Sequence, residues 1–143
     1  MRSIRGSSPI GSWRGEVSAR ILVVEDHRTM REAVRLILEP EGFEVLEVAD
    51  GVSALEAVRR ERPDLILLDM NIPGVPGLEV LEAVKRDPQT AAIPVIVLTA
   101  TDEAARRRVL ALGADGFFTK PFQPLALLQT LERVRGGGVA PGS

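Results

Sequence analysis

The sequence predicts an α/β fold, a doubly wound parallel sheet built from five successive βα units. Two observations carry that prediction. Short apolar runs, partly β-branched, recur five times, and a stretch with apolar residues at helical spacing follows each one. Such alternation makes a parallel sheet covered by helices on both faces, with right-handed crossovers.

Ile21–Val24 is the first run and has the length of a buried strand. Met30, Ala33, Val34, Ile37 and Leu38 then recur on one helical face, and Gly42 punctuates its end. Glu44–Val48 alternates in polarity and reads as an edge strand. Val52, Leu55 and Val58 mark a second helix, stopped by Pro63. Leu65–Leu68 is the third strand, and Leu78, Leu81 and Val84 mark a third helix closed by Asp87–Pro88. Val95–Leu98 is the fourth strand, Ala105, Val109 and Leu112 the fourth helix, and Phe117–Thr119 a short fifth strand. Leu127, Leu128, Leu131 and Val134 form the inner face of the last helix. Phe43 and Phe122 are expected in the core.

A chain of 143 residues suits one such domain. Residues 1–19 are rich in Ser, Gly and Arg and read as a mobile basic arm or a cloning remnant. Residues 20–135 are the folded unit, and 136–143 read as a flexible Gly-rich tail or linker stub. Apolar residues at 45% and charged ones at 27% give a globular balance and argue against a disordered chain. There is no cysteine, which excludes disulfides and thiolate metal sites and is compatible with the reducing cytoplasm. No apolar run approaches the ~20 residues that cross a bilayer, so no membrane partner is expected. The net charge is −2 although the arm carries Arg2, Arg5 and Arg14 against Glu16. The body is thus mildly acidic, a poor match for nucleic-acid phosphates.

Ligands of such sheets sit at the carboxyl ends of the strands. There the first strand ends in Glu25–Asp26, the third in Asp69, the fourth in Thr99 and the fifth in Lys120. One acid at a strand end is as readily an N-cap as a ligand. Three carboxylates, a hydroxyl and an ammonium on one rim require more, because desolvated like charges repel. A divalent cation neutralises the surplus, and an all-oxygen set suits Mg²⁺ or Mn²⁺ and disfavours zinc. One carboxylate would then serve as a nucleophile that forms an acyl phosphate.

Val23-Val24-Glu25-Asp26, Leu67-Leu68-Asp69-Met70-Asn71-Ile72-Pro73, Leu98-Thr99-Ala100 and Lys120-Pro121-Phe122 together resemble the receiver domain of two-component response regulators. The resemblance implies a flavodoxin-like sheet with strand order 2-1-3-4-5. It implies that Asp69 is the phosphoacceptor and that Glu25 and Asp26 hold Mg²⁺ with Asp69 and the backbone carbonyl of Asn71. Thr99 and Lys120 would contact the phosphoryl group, and Phe117 would be the aromatic that changes rotamer with Thr99. A cis Lys120–Pro121 bond is also implied. The implied protein is cytoplasmic and a signalling phosphoacceptor, not an enzyme in the ordinary sense. Its implied partners are a histidine kinase or phosphotransfer protein, and a downstream target or a lost effector domain. The fourth helix, fifth strand and last helix would form the output and dimer face.

Two positions depart from the family pattern. Glu25 stands where Asp is commoner, and Gly74-Val75-Pro76-Gly77 lacks the usual Asp before the second Gly. Altered loop stiffness with retained chemistry is expected. The single histidine, His27, reads as an exposed loop residue, and Arg106–Arg108 as a solvated helix face. A flavin binder would need a phosphate loop where Glu25–Asp26 stands. An aspartyl phosphohydrolase would want an acid at Asn71. The serious rival is a pseudo-receiver acting only as an interaction module, a class that usually lacks the acceptor or the lysine.

Overall fold

The computed structural model describes residues 19–99, 103–120 and 123–135. Five strands, β1 (Arg20–Val24), β2 (Glu44–Val48), β3 (Leu65–Asp69), β4 (Val95–Thr99) and β5 (Gly116–Thr119), form one sheet. All pairings are parallel and the order is β2-β1-β3-β4-β5. Five helices connect and cover them: α1 (Arg28–Leu38), α2 (Gly51–Glu61), α3 (Gly77–Arg86), α4 (Glu103–Ala111) and α5 (Pro124–Arg135). The 2-1-3-4-5 order is the one the resemblance implies, with β2 at an edge.

Side chains alternate across a strand, and this sheet buries both sets. Ile21, Val23, Leu65, Leu67, Ile96 and Leu98 pack with Val34 and Leu38 of α1 and with Leu127 and Leu131 of α5. Their neighbours Leu22, Val24, Ile66, Leu68, Val95 and Val97 pack with the other three helices, through Ala54, Ala57, Val80, Leu81 and Val109 among others. Phe43 lies in the first core as expected, and so does Ala19, one residue ahead of the predicted start of the folded unit. Trp13, Ala100, Pro121, Phe122 and the two tails lie outside the described residues, as does the Lys120–Pro121 bond.

The helix faces differ in detail from the periodicity. Val52, predicted on the inner face of α2, is 51% exposed, and Gly51, Ala54, Ala57 and Val58 are buried instead. Small residues on that face let α2 lie close to its neighbours, while Val52 sits beside the loop after β3. Ala33 is exposed on α1, where Val34 and Leu38 make the buried contacts. Asp50 caps α2, its Oδ1 accepting from the Ser53 amide at 2.7 Å, which satisfies one of the helix's free donors.

Lys85 on α3 ties down the amino end of β4. Its Nζ donates to the carbonyls of Ala91 (3.1 Å) and Ile93 (2.8 Å) and to Asp115 Oδ2 at 2.9 Å. The same Asp115 oxygen accepts the amide of Val95 at 2.9 Å. The turn between α4 and β5 is thereby fastened to the start of β4.

Candidate functional site

Parallel strands bring all their carboxyl ends to one rim, so residues far apart in sequence meet there. Glu25 follows β1, Asp69 ends β3, and Lys120 follows β5. Lys120 Nζ lies 3.1 Å from Glu25 Oε1 and 3.0 Å from Asp69 Oδ2. Both carboxylates are buried, Glu25 at 0% and Asp69 at 1% exposure, so their desolvation must be offset locally. Asp69 Oδ1 also accepts the amide of Asn71 at 3.1 Å. Glu25 Oε2 accepts the amide of His27 at 3.1 Å, and the His27 Nδ1 lies 3.0 Å from that oxygen and 3.3 Å from Asp26 Oδ1.

The electrostatics of the pair split in a definite direction. Burial works to raise the Glu25 carboxyl, but hydrogen bonds from the His27 amide and ring and from Lys120 hold it below the usual range. Burial pushes the Asp69 carboxyl up, and neighbouring Glu25 adds to that against the Asn71 amide and Lys120. Burial acts to lower the Lys120 ammonium, but Asp69 and Glu25 outweigh it and raise it. His27 is raised by its bond to Glu25 and by the charges of Asp26 and Glu25. Two buried carboxylates share one ammonium and the Asp26 carboxylate stands beside Glu25 at the His27 ring, which leaves a negative rim.

The loop between Asp69 and α3 is seated by close backbone approach. Gly51 donates its amide to the Pro73 carbonyl at 3.1 Å, and a side chain there would run into Val75. At the start of α3, a Cβ on Gly77 would lie 2.6 Å from Met70 Cα and 2.9 Å from the Asp69 carbonyl oxygen. The loop that departs from the family pattern is therefore held from two sides by glycines.

The structure brings Glu25, Asp69 and Lys120 into direct contact, with Asp26 and Asn71 beside them. Thr99 ends β4 in register with Thr119 of β5. Phe117 on β5 is half-buried, and the Arg106 guanidinium carbon lies 5.6 Å from its ring centroid, a cation–π distance. His27 has a 71% exposed side chain, as expected, yet it touches the acidic pair. Sequence reasoning gave no role to Arg31 or Glu47. Arg31 Nη1 donates to the Glu25 carbonyl at 2.8 Å, and its Nε to Glu47 Oε1 at 2.9 Å.

Residues 21–132 match the model of the response regulator receiver domain. The chain belongs to that family. It is a receiver domain of two-component signalling, a signalling module and not a classical enzyme. Its relatives include the phosphate regulon transcriptional regulatory protein PhoB of Klebsiella pneumoniae, 44% identical over 119 residues, which are 82% of this chain and 52% of that protein. The chain thus spans about half the length of the curated relatives it matches. The chemotaxis response regulator CheY4 of Vibrio cholerae aligns with TM-score 0.77 and 37% identity, covering 82% of this chain and 99% of that one. The receiver domain of a sensor histidine kinase from Pseudomonas aeruginosa PAO1 aligns with TM-score 0.78 and 30% identity, covering 85% and 100%; its structure has a magnesium ion coordinated in the active site cleft. Among the described residues no helix is long and apolar enough to cross a membrane.

Proposed function

We propose that this receiver takes a phosphoryl group from a histidine kinase or phosphotransfer protein onto Asp69 and relays it by changing the face formed by α4, β5 and α5. The observation that carries this reading is the Lys120 ammonium between two buried carboxylates, 3.0 Å from Asp69 and 3.1 Å from Glu25. A buried acid beside a lysine, on a rim with net negative charge, is suited to binding a divalent cation and then a phosphoryl group. Carboxylates, a backbone carbonyl and water are hard ligands, so the residues fit Mg²⁺ or Mn²⁺. Glu25, Asp26, Asp69 and the Asn71 carbonyl would hold the ion, which would neutralise charge on the incoming phosphoryl oxygens.

An oxygen of Asp69 attacks phosphorus as the P–N bond of the donor phosphohistidine breaks, and the freed imidazole takes a proton from solvent. Lys120 exchanges its contact with Asp69 for one with a phosphoryl oxygen, so the ammonium stays paired throughout. Catalysis here is chiefly positioning and charge neutralisation. We take residues 20–135 as the signalling unit, supported by the family match over 21–132, and place it in the cytoplasm with its kinase.

The added group carries about −1.5 to −2 charge and three acceptor oxygens. A Thr99 hydroxyl drawn to those oxygens gains a charge-assisted bond and leaves room for the Phe117 ring to turn inward. The ring is already half-buried, so the gain lies toward the low end of about 1.5–3 kcal/mol. That still biases an equilibrium about tenfold.

Acetyl phosphate with Mg²⁺ is expected to add one phosphoryl group to the intact mass, and Asp69→Asn to add none. Label on His27, or no label on the wild type, would defeat the reading. Thr99→Ala is expected to keep the label and lose the change in hydrogen exchange over β5 that a beryllofluoride mimic induces. Protection confined to the loops around Asp69 in the wild type would refute the switch.

A further inference from the structure

We propose that Arg31 is a positioning residue for the acidic pair, fixing the Glu25–Asp26 peptide so that Asp26 faces the cation. The inference rests on reading this rim as a Mg²⁺ site. Glu25 has its backbone held at both ends. Its amide donates to the Val48 carbonyl at 3.1 Å, and its carbonyl accepts Arg31 Nη1 at 2.8 Å. The Glu25 carbonyl and the Asp26 amide share one planar peptide unit, so a bond to that oxygen fixes how the chain enters Asp26.

Arg31 is itself held. Its Nε donates to Glu47 Oε1 at 2.9 Å, and Glu47 directly precedes Val48, the residue that holds the Glu25 amide. One guanidinium fork therefore spans the first turn of α1, the end of β1 and the end of β2. Lysine has no such fork and cannot hold both acceptors in a fixed geometry. The side chains of Arg31 and Glu47 are 18% and 24% exposed, and Glu25 is buried, so water competes only in part for these bonds.

Arg35 supplies the matched comparison. It donates to the other Glu47 oxygen, Nε to Oε2 at 2.8 Å, one helical turn along α1. It pairs with Glu47 and with Glu39, one turn further along, whereas Arg31 pairs with Glu47 and reaches the Glu25 carbonyl. Arg31 and Arg35 thus share the ion pair and differ in the bond to the Glu25 carbonyl.

Charge and positioning predict opposite signs. Removing a cation beside a divalent site tightens Mg²⁺ on Coulomb grounds. Removing a bond that orients a ligand weakens it, typically by about 10-fold or more.

The test is calorimetric Mg²⁺ titration of the full chain, with amide exchange of the metal-free protein as a readout that needs no metal. Arg31→Met is expected to raise Kd roughly 10-fold and to speed exchange at the Asp26 and His27 amides. Arg31→Lys, which keeps the charge, is expected to weaken binding to a similar extent. Arg35→Met is expected to lower stability but leave Kd and those amides near wild type. Unchanged or tighter Mg²⁺ binding in Arg31→Met overturns the proposal, as does equal weakening in Arg35→Met. A wild type that binds no Mg²⁺ at millimolar concentration sinks the metal reading and this inference with it. Normal wild-type binding with an indifferent Arg31 sinks the inference alone.

Discussion

Replacing Gly77 by alanine perturbs the acceptor loop without touching a charged group. The added Cβ would stand 2.6 Å from Met70 Cα, 2.8 Å from the Met70 carbonyl oxygen and 2.9 Å from the Asp69 carbonyl oxygen. All three are backbone atoms, so no flexible side chain can swing away. Overpacking of this kind costs about 1–3 kcal/mol, and the better helix propensity of alanine returns at most ~1 kcal/mol. A net loss of about 1–2 kcal/mol corresponds to a Tm lowered by roughly 4–8 °C for a domain of this size. Relief of the clash to an ordinary 3.4 Å contact moves α3 and the Asp69–Met70 peptide apart by several tenths of an ångström. A displacement of ~1 Å costs about 100-fold in rate, so a shared, smaller one should slow labelling by acetyl phosphate about 10-fold. Gly113→Ala is the control. Its φ of +105° also penalises a side chain, by about 1–2 kcal/mol, but it lies at the opposite end of the sheet. Melting curves and intact-mass time courses on both variants decide the matter. If Gly77→Ala labels at the wild-type rate, or no more slowly than Gly113→Ala, the close approach of Gly77 to Met70 does not set the position of Asp69.

Three further outcomes follow from the charges. Asp69→Asn should raise the Tm of the metal-free protein at neutral pH, because a carboxyl raised by burial and by Glu25 destabilises the folded state once ionised. The gain should fade as pH falls below the ordinary carboxylate range, and a lowered Tm at neutral pH would contradict it. Lys120→Ala should cost about 3 kcal/mol at neutral pH, as expected for breaking a buried pair, and Mg²⁺ should restore part of it in chemical denaturation. Glu47 is opposed by burial but held low by Arg31 and Arg35. Its stabilisation is therefore present above the unfolded carboxylate pKa and is lost as pH falls through the lower folded value. Glu47→Gln should accordingly flatten the acid limb of the stability curve, and an unchanged limb in urea titrations would rule that out.

Much of this molecule is legible in its sequence because a parallel sheet makes two demands that composition can show. Strands buried on both faces must be continuously apolar, as Ile21–Val24, Leu65–Leu68 and Val95–Leu98 are. Their ends converge, so Glu25, Asp69 and Lys120 could be assigned to one rim before their distances were known. The face of α2 was not legible, because Ala54 and Ala57 carry little hydrophobic signal and Val52 carries more than its position warrants. Strand order came from resemblance, since periodicity does not tell one parallel neighbour from another. Arg31 and Glu47 stayed hidden for a different reason: charged residues sixteen positions apart read as solvated surface until the fold sets them 2.9 Å apart. The fit of Gly51 against Val75 was equally silent, since a glycine's need for space depends on what the fold brings beside it.

The Lys85 and Asp115 staple sets the mechanical character of the region beyond it. β5 is also paired with β4 along its length, so a load at the rim moves the two strands together as a lever about the fastened turn. From Asp115, just before β5, to the rim residue Thr119 the extended chain runs about 13 Å at the ordinary rise per residue. A swing of ~10° of this paired edge about the fastened turn would carry the rim end about 2 Å while displacing the pinned end hardly at all. Movement produced by charge at the rim would then be largest in the residues nearest Lys120 and die away toward Gly113. The staple makes that end a fulcrum.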